Sequence, residues 1–109
     1  MRTSWIAGLL GAACVGAVQA QPVDTASAEA LLKKSGCMKC HSVSADKDGP
    51  SFKKTAAKYK DKPDAVEKLY KHVTTAPIVK VDGKEEHHEI IKSKDDREIK
   101  NAIAYILSR

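Results

Sequence analysis

The apolar positions of residues 24–36 recur at the spacing of one helix face. Asp24 or Ser27 can cap such a helix, because each side-chain oxygen can accept a hydrogen bond from a first-turn amide. The small and apolar residues on this face are Ala28, Leu31, Leu32 and Ser35. We therefore predict a first helix that ends at Gly36 and delivers Cys37 directly after it.

The middle of the chain predicts two further helices separated by turn residues. A polar stretch over residues 42–50, which includes the sequence DKDGP, marks a loop. A short helix is predicted at residues 51–59. Asp61 and Pro63 then open another helix, because both favour a helix start. Its buried stripe is predicted to consist of Val66, Leu69, Tyr70 and Val73.

Residues 76–92 break the helical pattern before it returns near the C-terminus. They hold Pro77 and Gly83, so we predict a long loop with one brief extended piece at residues 78–81. A loop of this length in a small domain is usually functional or disordered. A last helix begins near Ser93, which forms a capping pattern with Asp96. Its apolar residues are Ile99, Ala102, Ile103, Ile106 and Leu107.

The N-terminus carries the pattern of a secretory signal peptide. Arg2 precedes an uncharged apolar run at residues 5–18, and residues 18–20 (VQA) place small side chains where an export peptidase cleaves. The run is short for a membrane span, which needs about 20 apolar residues. We predict a signal peptide at residues 1–20 and one domain at residues 21–109, without stable membrane insertion after cleavage. An uncleaved anchor is the alternative.

Composition favours a bound prosthetic group. The aromatic residues of the predicted domain are Phe52, Tyr59, Tyr70 and Tyr105. Domains of this size often need a disulfide, metal or cofactor to complete so thin a core. The formal net charge is +5 at pH 7, and the lysines are scattered without interleaved aromatics, so no nucleic-acid module is indicated. A solvated surface and a docking patch both fit this charge.

The sequence CMKCH at residues 37–41 carries the strongest chemical signal. Thiols at this spacing can form thioethers with neighbouring vinyl groups of one haem, and the adjacent imidazole can bind its iron through Nε2. A disulfide between Cys37 and Cys40 would not need His41. A thioredoxin-like pair usually follows a strand, and zinc needs further paired ligands. We predict one covalently bound haem c per chain.

Together with CMKCH, the segments DGPSFKKTAAKY and DDREIKNAIAYILS resemble the small bacterial class I cytochromes c. The resemblance covers nearly all of residues 25–108. It implies an all-α class I cytochrome c fold with about four short helices around one covalently attached haem. The N- and C-terminal helices are expected to cross, with Leu32 and Gly36 near Tyr105. A periplasmic location is also implied.

The resemblance assigns the residues on one face of the haem. Cys37 and Cys40 correspond to the thioether cysteines, and His41 corresponds to the proximal iron ligand. Pro50 lies in the loop where a backbone carbonyl commonly receives the Nδ1 proton of that histidine and fixes its tautomer.

The usual distal ligand of this family, a methionine in the loop before the last helix, has no counterpart here. Met38 lies between the cysteines and cannot reach the opposite face. Alignment of the last helix brings His88 nearest to the missing methionine, so we predict His88 as the distal ligand, with His87 as the fallback. His72 is a further candidate, but we expect it to be a solvated histidine on a helix flank. The remaining candidates are Lys80, Lys84 and no protein ligand.

Two functions follow from the resemblance. The first is a one-electron carrier that meets redox partners; no catalytic nucleophile or carboxylate pair is evident, so no enzyme is predicted. The second is a haem protein whose open or labile sixth site binds or senses NO or CO. A cofactor-free thiol module is a third class. The lysines expected to border the haem and to meet an acidic partner surface are Lys33, Lys34, Lys39, Lys53 and Lys54.

Overall fold

The computed structural model describes residues 22–109 together with Gly8 and residues 11–13. The predicted signal peptide at residues 1–20 therefore lies outside the described residues, apart from those few positions. In the described part of the chain, no helix has the length and apolar character that crossing a membrane requires.

Four α-helices, one short 3-10 turn and one β-hairpin form the described fold. The helices are α1 (Thr25–Lys34), α2 (Phe52–Tyr59), α3 (Ala65–Thr74) and α4 (Asp96–Leu107), and the 3-10 turn is Cys37–Lys39. The antiparallel strands are β1 (Ile78–Val81) and β2 (Lys84–His87). The small helical fold implied by the resemblance is confirmed.

Helix α1 begins and ends as predicted. The Asp24 carboxylate accepts a hydrogen bond from the Ser27 amide at 3.0 Å, and this bond, with a second from the Ser27 hydroxyl, lowers the pKa of Asp24. At the other end, Gly36 has a φ of 75°, a left-handed conformation that strains other residues. The chain reverses there and places Cys37 at the start of the 3-10 turn.

Helices α1 and α4 pack against each other in the centre of the core. Leu32 and Tyr105 are both buried there, and the Tyr105 hydroxyl donates to the Glu29 carboxylate at 3.1 Å. Asn101 connects the helices through its amide: its oxygen accepts from the Asp24 amide, and its nitrogen donates to the Asp24 carbonyl, both at 2.9 Å. The expected contact between the terminal helices is therefore present.

Helix α3 begins later than predicted, and its buried stripe differs from the prediction at one position. Asp61 has a φ of 60° and lies in a turn, and the helix begins at Ala65. Ala65 and Leu69 are buried, whereas Val66 is 43% exposed. The other residues of the predicted stripe pack against the core as expected, so the error is the assignment of Val66 to the core in place of Ala65.

Helix α4 is capped two residues later than the sequence indicated. The Asp95 carboxylate accepts from the Arg97 amide at 2.9 Å, which makes Asp95 the capping residue. The Ser93 hydroxyl instead donates to the Glu98 carboxylate at 2.6 Å. The predicted apolar face is otherwise observed, and its buried residues are Ile99, Ala102, Ile103, Tyr105 and Ile106.

The largest difference from prediction is the hairpin within residues 76–92. Ile78 pairs with His87, and Val81 pairs with Lys84. Between the strands, Asp82 and Gly83 have positive φ values of 51° and 77°, as the two-residue hairpin turn formed by Asp-Gly requires. The predicted extended piece at residues 78–81 is confirmed as β1. Strand β2 was missed because it reads KEEH and is fully exposed, so it carries no apolar alternation.

Replacement Asn101→Ala should lower the free energy of unfolding by about 1–3 kcal/mol, because two hydrogen bonds are lost and each contributes roughly 0.5–1.5 kcal/mol. Urea denaturation of the holoprotein, followed by far-UV circular dichroism, measures the change. Lys100→Ala on the same helix is the matched control, since an exposed side chain usually changes stability by less than about 0.5 kcal/mol. Equal stability of the two variants would contradict a role for the Asn101 amide.

Candidate haem site

The two cysteines of CMKCH lie at the ends of the 3-10 turn that follows α1. Cys37 begins this turn, Cys40 ends it, and both thiols are partly buried and not joined to each other. Burial raises the pKa of the Cys37 thiol, so its reactive thiolate form is disfavoured. The described residues also hold no group of three or more His, Cys, Asp or Glu placed to bind a metal.

The His41 ring is held in one orientation by its neighbours. Its Nδ1 lies 2.7 Å from the Pro50 carbonyl oxygen, where the resemblance placed a backbone acceptor. With the proton donated from Nδ1, the Nε2 lone pair is available to a metal. The Phe52 ring stacks on His41, with ring centroids 5.6 Å apart and an interplanar angle of 23°.

Gly49 is a site residue that the sequence reasoning missed. Its amide donates to the Cys40 carbonyl at 2.8 Å, which folds the loop back over the histidine. A Cβ at Gly49 would lie 2.6 Å from Cε1 of His41, too close for a real contact. The glycine therefore leaves the space that the ring occupies. The pair GP in DKDGP was the available signal, but it was interpreted only as a loop marker.

The His88 ring lies near the His41 ring. The centroids of the two rings are 6.2 Å apart. Imidazoles that bind one metal from opposite sides, each at about 2.0 Å, have ring centres roughly 6 Å apart. The His88 ring is partly buried, and its Nδ1 lies 2.8 Å from the Glu89 carbonyl oxygen. As in His41, the Nε2 atom is left as the metal-binding nitrogen, so the two residues fit a haem iron.

Burial lowers the pKa of His88, and the nearby positive charge of His41 acts in the same direction. Burial also lowers the pKa of His72, and the nearby positive charges of His88, His41 and Lys58 act in the same direction. Both side chains are therefore kept in the neutral imidazole form, which is the form that binds metals.

The segment that carries His88 is tied to the rest of the fold at several points. Backbone amides on this segment donate to acceptors just before β1, within α3 and just after α1, so the segment is attached to the rest of the fold. These hydrogen bonds are His88 N to the carbonyl of Pro77 (2.8 Å), Ile91 N to the carbonyl of Val73 (2.9 Å) and Lys92 N to Oγ of Ser35 (2.8 Å).

The other distal candidates occupy different positions. His87 is exposed at the end of β2, and its Nδ1 lies 3.1 Å from the Ala76 carbonyl oxygen. Neighbouring residues of an extended chain point to opposite sides, which separates the directions of His87 and His88. Lys80 and Lys84 are exposed on the hairpin. The expectation of a solvated His72 is wrong, because its partly buried ring lies 4.2 Å from that of His88, centroid to centroid.

Short helices packed beside a Cys-x-x-Cys-His turn are typical of a c-type cytochrome. The Cytochrome c family model matches residues 26–109. The chain belongs to the cytochrome c family, whose members carry covalently bound haem c.

Individual relatives agree with this assignment. Cytochrome c-552 of Nitrosomonas europaea is 42% identical over 65 residues, which are 60% of this chain and 58% of that protein. Cytochrome c-552 of Hydrogenobacter thermophilus is 46% identical over 41 residues, which are 38% of this chain and 42% of that protein. Each match thus spans less than two thirds of the relative's length.

A solved structure covers more of the chain. The class 1 cytochrome MtoD from Sideroxydans lithotrophicus ES-1 has a TM-score of 0.76 to this fold and 46% sequence identity. The likeness covers 80% of this chain and 97% of that chain. The small class I fold that the sequence resemblance implied is thereby confirmed.

Replacement Gly49→Ala should tilt the His41 ring, because the added Cβ would lie 2.6 Å from Cε1. Overpacking of this kind typically costs about 1–3 kcal/mol of stability. The g values of the ferric electron paramagnetic resonance (EPR) spectrum should shift, and the unfolding midpoint should fall. Asp48→Ala, at the neighbouring exposed position, is the control. Identical spectra for Gly49→Ala and the control would contradict the close contact.

Proposed function

We propose that the protein is an exported one-electron carrier whose haem iron is bound by His41 and His88. The observation that carries this proposal is the 6.2 Å separation of the two imidazole rings. Cys37 and Cys40 would hold the haem through thioethers on the His41 side. The absence of methionine from residues 76–92 supports the second histidine as the distal ligand.

The roles of the polypeptide follow from the contacts around the two rings. Haem, when bound, supplies the one-electron iron couple. The carbonyls of Pro50 and Glu89 accept the Nδ1 protons, which fixes both tautomers and raises the basicity of the ligating nitrogens. Phe52 covers the His41 ring. Because these contacts hold both rings, the ligands move little when the oxidation state changes, which favours electron transfer over binding of an external molecule.

The identity of the distal ligand also affects the reduction potential of the haem iron. A methionine ligand opposite histidine raises the potential in cytochromes c. Two imidazoles donate more electron density to ferric iron, so the pair His41 and His88 should stabilise the oxidised state. We therefore assign this protein a lower potential than a His/Met relative with similar haem exposure.

Export and covalent haem attachment belong together in this proposal. Residues 1–20 carry the signal-peptide pattern, and thioether attachment of haem in class I relatives takes place outside the bacterial inner membrane. The mature domain would then work in the periplasm from residue 21 onward. An intact mass of the purified holoprotein that still includes residues 1–20 would contradict export with cleavage.

Low-temperature EPR of the ferric protein should give a low-spin spectrum with the g values of two imidazole ligands. The reason is the 6.2 Å separation of the His41 and His88 ring centroids, which suits two ligands of one iron. The optical spectrum should lack the charge-transfer band of a methionine-sulfur ligand. His87→Ala should leave both spectra unchanged, since His87 is exposed on the hairpin.

High-spin iron, or the g values of a histidine and lysine pair, would contradict the proposed ligation.

Carbon monoxide added to the reduced protein separates the two candidate functions. Slow or incomplete binding supports the electron carrier, whereas rapid and complete binding at neutral pH supports a ligand-binding or sensor protein. A midpoint potential above that of a comparable His/Met relative would also contradict two histidine ligands.

Electron-transfer rates with an acidic redox partner should fall as ionic strength rises, because exposed lysines steer docking and salt screens them. The proposed residues are Lys33, Lys34, Lys39, Lys53 and Lys54, all of them exposed. Stopped-flow rates measured over a salt series test this. Lys53→Gln should reduce the salt dependence, whereas Lys100→Gln on α4 is the control. Rates that do not respond to salt would rule out electrostatic docking.

A further inference from the structure

The rings of His72 and His88 lie side by side, and a backbone hydrogen bond connects the two segments that carry them. The Ile91 amide donates to the carbonyl of Val73 at 2.9 Å, and Val73 directly follows His72 on α3. This bond fixes the segment after His88 against the last turn of that helix. The two rings meet with centroids 4.2 Å apart and an interplanar angle of 54°. The His72 ring is therefore adjacent to His88, the residue that we propose as the second ligand beside His41.

His72 differs from the other histidines in its freedom to turn. Within residues 22–109, the rings of His41, His87 and His88 each place Nδ1 near a backbone carbonyl, whereas the His72 ring makes no hydrogen bond to the protein. No such bond has to break before His72 rotates about its side-chain torsions. Removal of the His88 ring would also leave free space directly beside the His72 ring.

We propose that His72 is a second imidazole for the distal side of the haem. While His88 is bound, His72 packs against its ring as a positioning residue; when the His88 bond is lost, Nε2 of His72 binds the iron in its place. One nitrogen-iron bond breaks and another forms, with no change in electrons or protons. This inference rests on the proposed His41 and His88 ligation.

The alternatives to His72 are placed less well for this exchange. His87 points away from His88 along the extended chain, and its Nδ1 is engaged by the Ala76 carbonyl. Lys80 and Lys84 lie on the exposed hairpin, which would have to fold over the site. A replacement imidazole from α3 would keep small gases off the iron even when the segment carrying His88 is displaced.

Four variants of the holoprotein test the exchange by ferric EPR: His88→Ala, His72→Ala, and the double variants H72A/H88A and H87A/H88A. We expect His88→Ala to remain low-spin with two imidazole ligands, but with g values shifted from those of the wild type. H87A/H88A should match His88→Ala. H72A/H88A should lose the low-spin signal, and its reduced form should bind carbon monoxide readily.

Added imidazole should restore the low-spin signal of H72A/H88A, which shows that the haem pocket of this variant is intact. A high-spin spectrum for His88→Ala would overturn the role of His72 and leave the His41 and His88 pair standing. A low-spin signal that is lost in H87A/H88A would assign the exchange to His87 and likewise overturn the inference. If His88→Ala matched the wild type in g values and His72→Ala turned high-spin, His72 would be the native ligand, and both proposals would fail.

Discussion

One hydrogen bond joins the segment that leads to Cys37 to the segment that follows His88. The Lys92 amide donates to the Ser35 hydroxyl at 2.8 Å, and Ser35 is 1% exposed. Ser35 closes α1 just before Cys37, whereas Lys92 follows His88 on the distal segment. An unsatisfied buried polar group costs about 1–3 kcal/mol, so this contact favours the arrangement in which both segments are in place. The facing histidines depend on it, because each is attached to one side of the bond.

The main chain orients the imidazole rings of His41 and His88 in the same way. Backbone carbonyls of Pro50 and Glu89 bind the two Nδ1 atoms, so the tautomers follow from the fold and not from side chains that could be exchanged. The surroundings of the rings differ. The His41 ring is confined by Gly49 and Phe52, whereas the His88 ring packs beside the His72 ring.

The sequence predicted the parts of the site that depend on local spacing. From CMKCH, the caps of α1 and the register of the last helix, we predicted Cys37, Cys40, His41 and His88 as site residues without any knowledge of tertiary contacts, and their roles stay predictions. Gly49 and the hairpin were missed for two reasons. The need for glycine arises from a loop folding back on the His41 ring, and strand β2 has no apolar side chain to reveal its period.

The misplacement of His72 has a geometric cause in α3. A stripe through Val66 puts His72 on the flank of the helix, but the buried stripe contains Ala65 and Leu69. His72 lies seven residues after Ala65 and three after Leu69, which is the same face. Both stripes have helical periodicity, and the choice between alanine and valine as the core residue depends on how closely α3 approaches α4. Only the packed structure contains that information.

The hairpin is closed at its base by the hydrogen bond from the His88 amide to the Pro77 carbonyl, next to the pair of Ile78 and His87. Beyond that pair, β2 and the turn are exposed, and β1 is exposed or partly buried. Extra or missing residues at the Asp82–Gly83 turn would thus be accommodated in water, since exposed loop tips tolerate changes in length. Descendants of this protein could acquire new recognition loops there while the ligand geometry is inherited unchanged.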